Sequence, residues 1–130
     1  MTITEIKENK KQYLSLLLLA DEQEDMVDRY IDKGTMYVFD DNGVKSECVI
    51  TDEGNGIIEI KNIATVPEHQ GKGYAKALID FLVEEYGGKY SVLQVGTGDS
   101  PMTVPFYEKC GFVRSHSIPN FFTDNYDHRI

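Results

Sequence analysis

Residues 57–98 carry the pattern that most constrains how this chain can fold. "IIEIKNIATV" (57–66) is rich in β-branched residues and reads as a strand. After "PEHQGKG", the residues Ala75, Leu78, Ile79, Leu82 and Tyr86 recur at spacings of three and four. That stripe predicts an amphipathic helix, which Gly87 and Gly88 end. "KYSVLQVGTG" (89–98) is a further strand. A strand, a helix and a strand in this order give a parallel pair with a right-handed crossover. The helix entrance is the unusual part. Gly71 and Gly73 stand where a capping Ser or Asp is the common choice. A helix start leaves about four N–H groups unpaired and carries partial positive charge, so it readily takes phosphate groups. Without side chains at the two glycines, a ligand can reach the main chain.

The remaining segments fit around that unit. "TITEI" alternates as a short first strand. From Lys10 to Ile31 the apolar residues Tyr13, Leu14, Leu17, Leu18, Met26, Val27, Tyr30 and Ile31 follow helical spacing. "ADEQED" (20–25) breaks this run into two helices, with Asp21 as N-cap of the second, and Gly34 stops it. "TMYVFD", "VKSECVIT" and the strand from Ile57 form an antiparallel meander, joined by turns at 41–43 and 52–56. "PMTVPFYEKC" (101–110) predicts a short helix and "GFVRSHSIP" (111–119) a last strand. The expectation is one mixed α/β domain over residues 1–130, with a single main sheet that is mostly antiparallel and has flanking helices.

Composition excludes several functions. A formal net charge of −9 repels phosphate backbones, which argues against nucleic acid as a partner and suits a cationic one. The longest apolar run, Leu16–Ala20, has five residues, far short of the ~20 that a membrane span needs. The polar opening "MTITEIKENKKQ" is not a signal peptide pattern, so the expected compartment is the cytoplasm. Cys48 and Cys110 make neither a disulfide framework nor a zinc site, and His69, His116 and His128 lie far apart, so no metal is expected.

The glycine segment fails both common nucleotide motifs. No G-x-x-x-x-G-K-[ST] run exists, and Lys76 stands where a dinucleotide fingerprint needs its third glycine. What remains is Q-x-x-G-x-A, formed by Gln70, Gly73 and Ala75. With a strand before it, a helix after it and "FYEKCGF" (106–112) downstream, the sequence resembles the GNAT superfamily of N-acetyltransferases. That family's signature is [QR]-x-x-G-x-[GA], followed later by a segment like [FY]-Y-x-K-x-G-F. The resemblance covers roughly residues 10 to 118.

The resemblance implies a GNAT fold and acetyl-CoA as cosubstrate. It implies that the main chain of Gln70, Gly71, Lys72, Gly73, Tyr74, Ala75 and Lys76 holds the coenzyme's pyrophosphate. It also implies a bulged fourth strand whose backbone at Ile63, Ala64 and Thr65 faces the acetyl group and pantetheine. The residues give independent support: Ile58 and Ile60 alternate, Asn62 breaks the phase and Ile63 takes over, as one extra residue in the strand would cause. Glu59, four residues before Ile63, stands where the histone-acetylating branch carries its general base; it reads equally as a solvated residue or a partner of Lys61. Tyr107 stands where the family's tyrosine hydrogen-bonds the coenzyme A sulfur as general acid.

Two departures from the family pattern stand out. Ser100 replaces the Asn that precedes the Tyr by seven positions, and it reads also as an N-cap before Pro101. A seventh strand is not evident, because "NFFTDNYDHRI" hardly alternates. Either the chain lacks that strand, leaving a bare edge for a homodimer to cover, or the tail is an irregular flap. The implied reaction is acetyl transfer from acetyl-CoA to an amine of a small molecule or peptide, by direct attack with both substrates bound. The alternative is a module that binds acyl-CoA without catalysis.

Overall fold

A computed structural model describes residues 1–98, 113–114 and 123–129 of the chain. Seven strands lie in one sheet: β1 (Thr2–Ile6), β2 (Thr35–Asp40), β3 (Val44–Gly54), β4 (Ile57–Thr65), β5 (Val92–Gly98), β6 (Val113–Arg114) and β7 (Thr123–Arg129). Their order across the sheet is β1-β2-β3-β4-β5-β7-β6. The β4–β5 pair is parallel, as the crossover requires, and the other neighbours are antiparallel. The helices are α1 (Leu14–Leu17), α2 (Glu24–Asp28) and α3 (Tyr74–Tyr86).

The sheet is covered on both faces. On one, Leu78, Ile79 and Leu82 of α3 pack with Cys48, Ile50, Ile58, Ile60 and Leu93. On the other, Leu17 of α1 and Val27 of α2, with Tyr30 and Ile31, cover Met36, Val38 and Val49. Strand β3 lies between the two layers, and every residue from Ser46 to Thr51 is buried. Cys48 is a free thiol within the α3-side layer.

Four expectations need correction. The seventh strand exists: β7 pairs with β5 from Thr123 to Arg129 and with β6 at Tyr126 and Asp127. It pairs with β5 along its whole length and with β6 at two residues, so backbone hydrogen bonds rather than apolar alternation hold it. The bare edge that a dimer was to cover is therefore filled. Asp21 does not cap α2. That position belongs to Gln23, and the Asp21 carboxylate instead accepts a 3.0 Å bond from the Tyr30 hydroxyl. The N-terminal helices are also shorter than the periodicity predicts. Part of the run is a 3₁₀ turn at Lys10–Tyr13, and the Lys10 ammonium ties it to the carbonyls of Ile31 (2.8 Å) and Gly34 (2.6 Å). The second hairpin turn is confined to Asn55 and Gly56, both at positive φ (57° and 77°), so β3 runs on to Gly54.

The extra residue in β4 is Lys61. Val49 pairs with Asn62 and Ile50 with Ile60, which leaves Lys61 without an opposite number. Ile58, Ile60 and Ile63 therefore all meet the α3-side layer. Asn62 turns to the other face, where its Nδ2 donates to the Leu17 carbonyl and the Tyr30 hydroxyl, both at 2.9 Å.

Leu82 is fully buried where α3 meets the sheet. Leu82→Ala is expected to lower unfolding stability by about 2–5 kcal/mol. Urea titration checks this through a lower midpoint at unchanged slope.

Candidate active site

The entrance to α3 is open main chain. Gly71 and Gly73 adopt φ of 81° and 88°, in the left-handed region that favours glycine. A Cβ placed at either one would meet nothing within 4 Å, so among the described residues no side chain plugs the notch. Gly73 occupies the N-cap without a side-chain bond, and no acidic residue stands in the first turn. The N–H groups there are left for an incoming anion. The helix start is fixed from behind. The Tyr74 ring packs on Phe39 (5.1 Å between centroids), and its hydroxyl donates to Asp41 Oδ2 at 2.7 Å. That bond raises the phenol's pKa. Gln70 reaches back toward the Thr65 carbonyl (3.3 Å), Lys72 meets His69 Nδ1 (3.2 Å), and Lys76 pairs with Asp80 (2.8 Å).

The second feature is a split in the sheet. The β4–β5 ladder runs from Ile57 with Val92 to Ile60 with Val95 and then stops. Beyond Lys61, β4 stays paired with β3, while Gly96–Gly98 of β5 pair with β7. Ile63, Ala64 and Thr65 therefore lie on an edge that no strand among the described residues covers on the β5 side. Such an edge presents unpaired backbone donors and acceptors. Ser46 pins this stretch from β3, with its hydroxyl on the Ala64 carbonyl (2.8 Å) and on Thr65 Oγ1 (3.0 Å).

Glu59 sits at the last paired steps before the split, directly beside Gln94 in the ladder. One of its oxygens accepts from Gln94 Nε2 at 2.6 Å and the other is ion-paired with Lys61. Two cationic or amide donors hold this carboxylate in place.

A second carboxyl lies on the α1/α2 face of the sheet. Glu47 stands opposite Val38 on one side and Ala64 on the other, and it is 0% exposed. Among the described residues neither of its oxygens has a hydrogen-bond partner, and the Oδ1 of buried Asn62 has none either. Burial pushes the Glu47 pKa well up. Tyr30 touches this region through Asn62, and it also lines a cleft of about 320 Å³ with Asp21, Met26, Arg29, Lys33 and Lys61.

Known proteins share this fold. The acetyltransferase (GNAT) domain family matches residues 32–114. The chain belongs to the GNAT acetyltransferase family. An uncharacterized N-acetyltransferase of Bacillus subtilis (strain 168) is 31% identical over 127 residues, covering 95% of this chain and 82% of that protein. The structure of an IAA acetyltransferase from Bacillus cereus ATCC 14579 superposes with a TM-score of 0.88 at 31% identity, covering 99% of both chains. A GNAT acetyltransferase from Elizabethkingia anophelis with acetyl-CoA bound gives a TM-score of 0.90 at 25% identity, covering 99% of this chain and 97% of that one.

In this GNAT domain the expected site residues fall into two groups. Residues 70–76 form the notch, and Ile63, Ala64 and Thr65 form the split edge on the strand that leads into it. Glu59 lies on the same strand, at the base of the split. Ser100 and Tyr107 lie outside the described residues. Sequence reasoning passed over Glu47 and read Asn62 only as the residue that breaks the alternation of β4. The available signal was a charged residue within "VKSECVIT", a run that becomes a fully covered central strand. Among the described residues, no cluster of His, Cys, Asp and Glu is placed to hold a metal ion. No helix among them is long and apolar enough to cross a membrane.

The raised Glu47 pKa has a sign that can be measured. The folded chain holds this proton above the group's ordinary value near 4.5, where the unfolded chain releases it. Stability is then fully present below that value and falls as pH rises toward the folded pKa. Through this window Glu47 contributes a loss of up to ~1.4 kcal/mol per pH unit. Glu47→Gln is expected to remove that slope, as chemical denaturation at a series of pH values would show.

Proposed function

We propose that the chain transfers the acetyl group of acetyl-CoA to an amine, by direct attack in a ternary complex. The observation that carries this reading is the unplugged notch at Gly71 and Gly73, aimed along a helix axis and adjoining the split edge at 63–65. A diphosphate fits the first, because unpaired N–H groups and the helix dipole favour an anion there. A narrow pantetheine arm fits the second, where free backbone groups can take its amides.

The chemistry sets three requirements. An amine of ordinary pKa ~10.4 must lose a proton before it attacks. The thioester oxygen needs a donor as charge develops, and the backbone at Ile63, Ala64 and Thr65 is the nearest fixed source. The leaving thiolate needs a proton, the role of Tyr107. Glu59 is the proton acceptor that the family resemblance suggests. Its bonds to Lys61 and Gln94 hold it in place. The acceptor is a small-molecule or peptide amine, in keeping with the acidic net charge of −9.

Calorimetry with acetyl-CoA is expected to show binding, and a panel of primary amines is expected to release free thiol. Gly73→Val puts a branched side chain into a left-handed position at the notch, and it is expected to weaken acetyl-CoA binding at least tenfold. Tyr107→Phe is expected to keep binding and lower turnover roughly 100-fold. Absence of heat with acetyl-CoA would sink the reading. Binding with no thiol release from any amine would leave a non-catalytic acyl-CoA module instead.

A further inference from the structure

A carboxyl sealed in an apolar layer with neither oxygen bonded is costly, and native structures rarely keep one without a use. Glu47 is such a group, and the Asn62 Oδ1 is a second orphan on the same sheet face. The Asn62 amide is oriented without ambiguity, because its Nδ2 donates to the Leu17 carbonyl, which can only accept. Glu47 pairs with Ala64, while Asn62 pairs with Val49, so the two are diagonal neighbours across β3 and β4. Diagonal neighbours lie about 7–8 Å apart at the backbone, within reach of long side chains. With the Glu47 carboxyl ionised, the cluster offers three acceptor atoms and no donor. A primary ammonium has three N–H donors and the compensating charge.

The position is as informative as the chemistry. Ala64 lies directly opposite Glu47, at a cross-strand Cβ separation of about 5 Å. Ala64 is also the middle residue of the split edge. Glu59, by contrast, lies five residues earlier on the strand, about 16 Å along it at ~3.3 Å per residue. Tyr30 contacts the cluster through Asn62 and also lines the cleft bordered by Asp21 and Lys61, which lies next to the cluster.

Resting on the acetyl-transfer reading above, we infer that Glu47, with Asn62, receives the acceptor's ammonium group and takes its proton. Before the amine arrives, the carboxyl is neutral. The incoming cation stabilises the carboxylate, and that proton leaves to water. The ammonium then gives one proton to Glu47, and its freed lone pair forms the C–N bond to the thioester carbon. The C–S bond breaks with its electron pair on sulfur. The remaining extra proton on nitrogen replaces the one that Tyr107 gives that sulfur, and Glu47 is left neutral, as it began. Ammonium and thioester become amide, thiol and one proton.

Few other groups titrate beside Glu47. Tyr30 faces it from beyond α2, with a hydroxyl pKa raised chiefly by burial. Cys48 follows it on β3, its thiol likewise raised by burial. The α2 acids Glu24, Asp25 and Asp28 are exposed, and α1 carries no ionisable residue.

The test uses the full chain, its Glu47→Gln and Glu59→Gln variants, and infrared difference spectroscopy. At neutral pH the parent is expected to show a buried protonated-carboxyl band that Glu47→Gln lacks. Methylamine or spermidine, added with coenzyme A, is expected to bleach it. In the thiol-release assay, Glu47→Gln is expected to lower kcat about 100-fold or more and abolish the acidic limb of the pH profile. Its acetyl-CoA affinity should stay within twofold of the parent; loss of that limb in Glu59→Gln instead would assign the proton to Glu59 and overturn the inference. Should Glu47→Gln fold poorly, Glu47→Leu replaces it, since an apolar residue suits the layer. A band indifferent to saturating amine, or a variant with kcat within threefold of the parent and the same profile, overturns the inference. If the parent releases no thiol with any amine, the acetyl-transfer reading fails, and the infrared result still decides whether Glu47 takes an ammonium.

Discussion

Strand β4 stays with β5 only as far as Ile60, and the rest of the site follows from that limit. A parallel pair joined by a right-handed crossover would ordinarily zip along its whole length. Lys61, inserted without a partner on β3, rotates the strand and bends it away from β5. Three consequences follow together. The backbone from Ile63 to Thr65 loses its ladder on one side and becomes available. Asn62, which would otherwise continue the apolar row of Ile58 and Ile60, is turned into the α1/α2 layer. The strand ends where the glycine loop must begin, so the open edge and the open notch adjoin. One extra residue thus joins two places where the main chain is bare.

Much of this was legible because it rests on local pattern. The α3 stripe is periodic, and its buried members are the ones the spacing names: Leu78, Ile79 and Leu82. Gly71 and Gly73 announce left-handed backbone by being glycine at a helix entrance. Even the bulge left a trace, in the phase slip between Ile60 and Ile63, although periodicity could not say that Lys61 was the residue without a partner.

What the sequence concealed depends on long-range partners. "TDNYDHR" reads as a polar tail because its strand is stabilised by hydrogen bonds to β5 and β6. Ladder bonds leave no mark on side-chain composition. Asp21 looks like a helix cap in isolation, yet a phenol nine residues away takes its carboxylate. Glu47 looks like a surface residue of a hairpin strand until α1 and α2 are laid over it. Each of these residues satisfied a local rule, and tertiary contact decided otherwise.

Placing the acceptor's proton on the α1/α2 face gives the two layers different tasks. The α3 layer is apolar behind the notch and makes it rigid: it fixes the N–H groups at the helix entrance. The opposite layer is also apolar, but it encloses polar groups in Glu47, Asn62 and Tyr30, at a cost to the folded state. A fold under selection for stability alone would place Leu at position 47. A protonated carboxyl kept from water, one strand away from an open backbone edge, makes sense where a charged amine must be brought in and neutralised. Its high proton affinity then matches the task, since a carboxyl of ordinary acidity would take a proton from an ammonium far less readily.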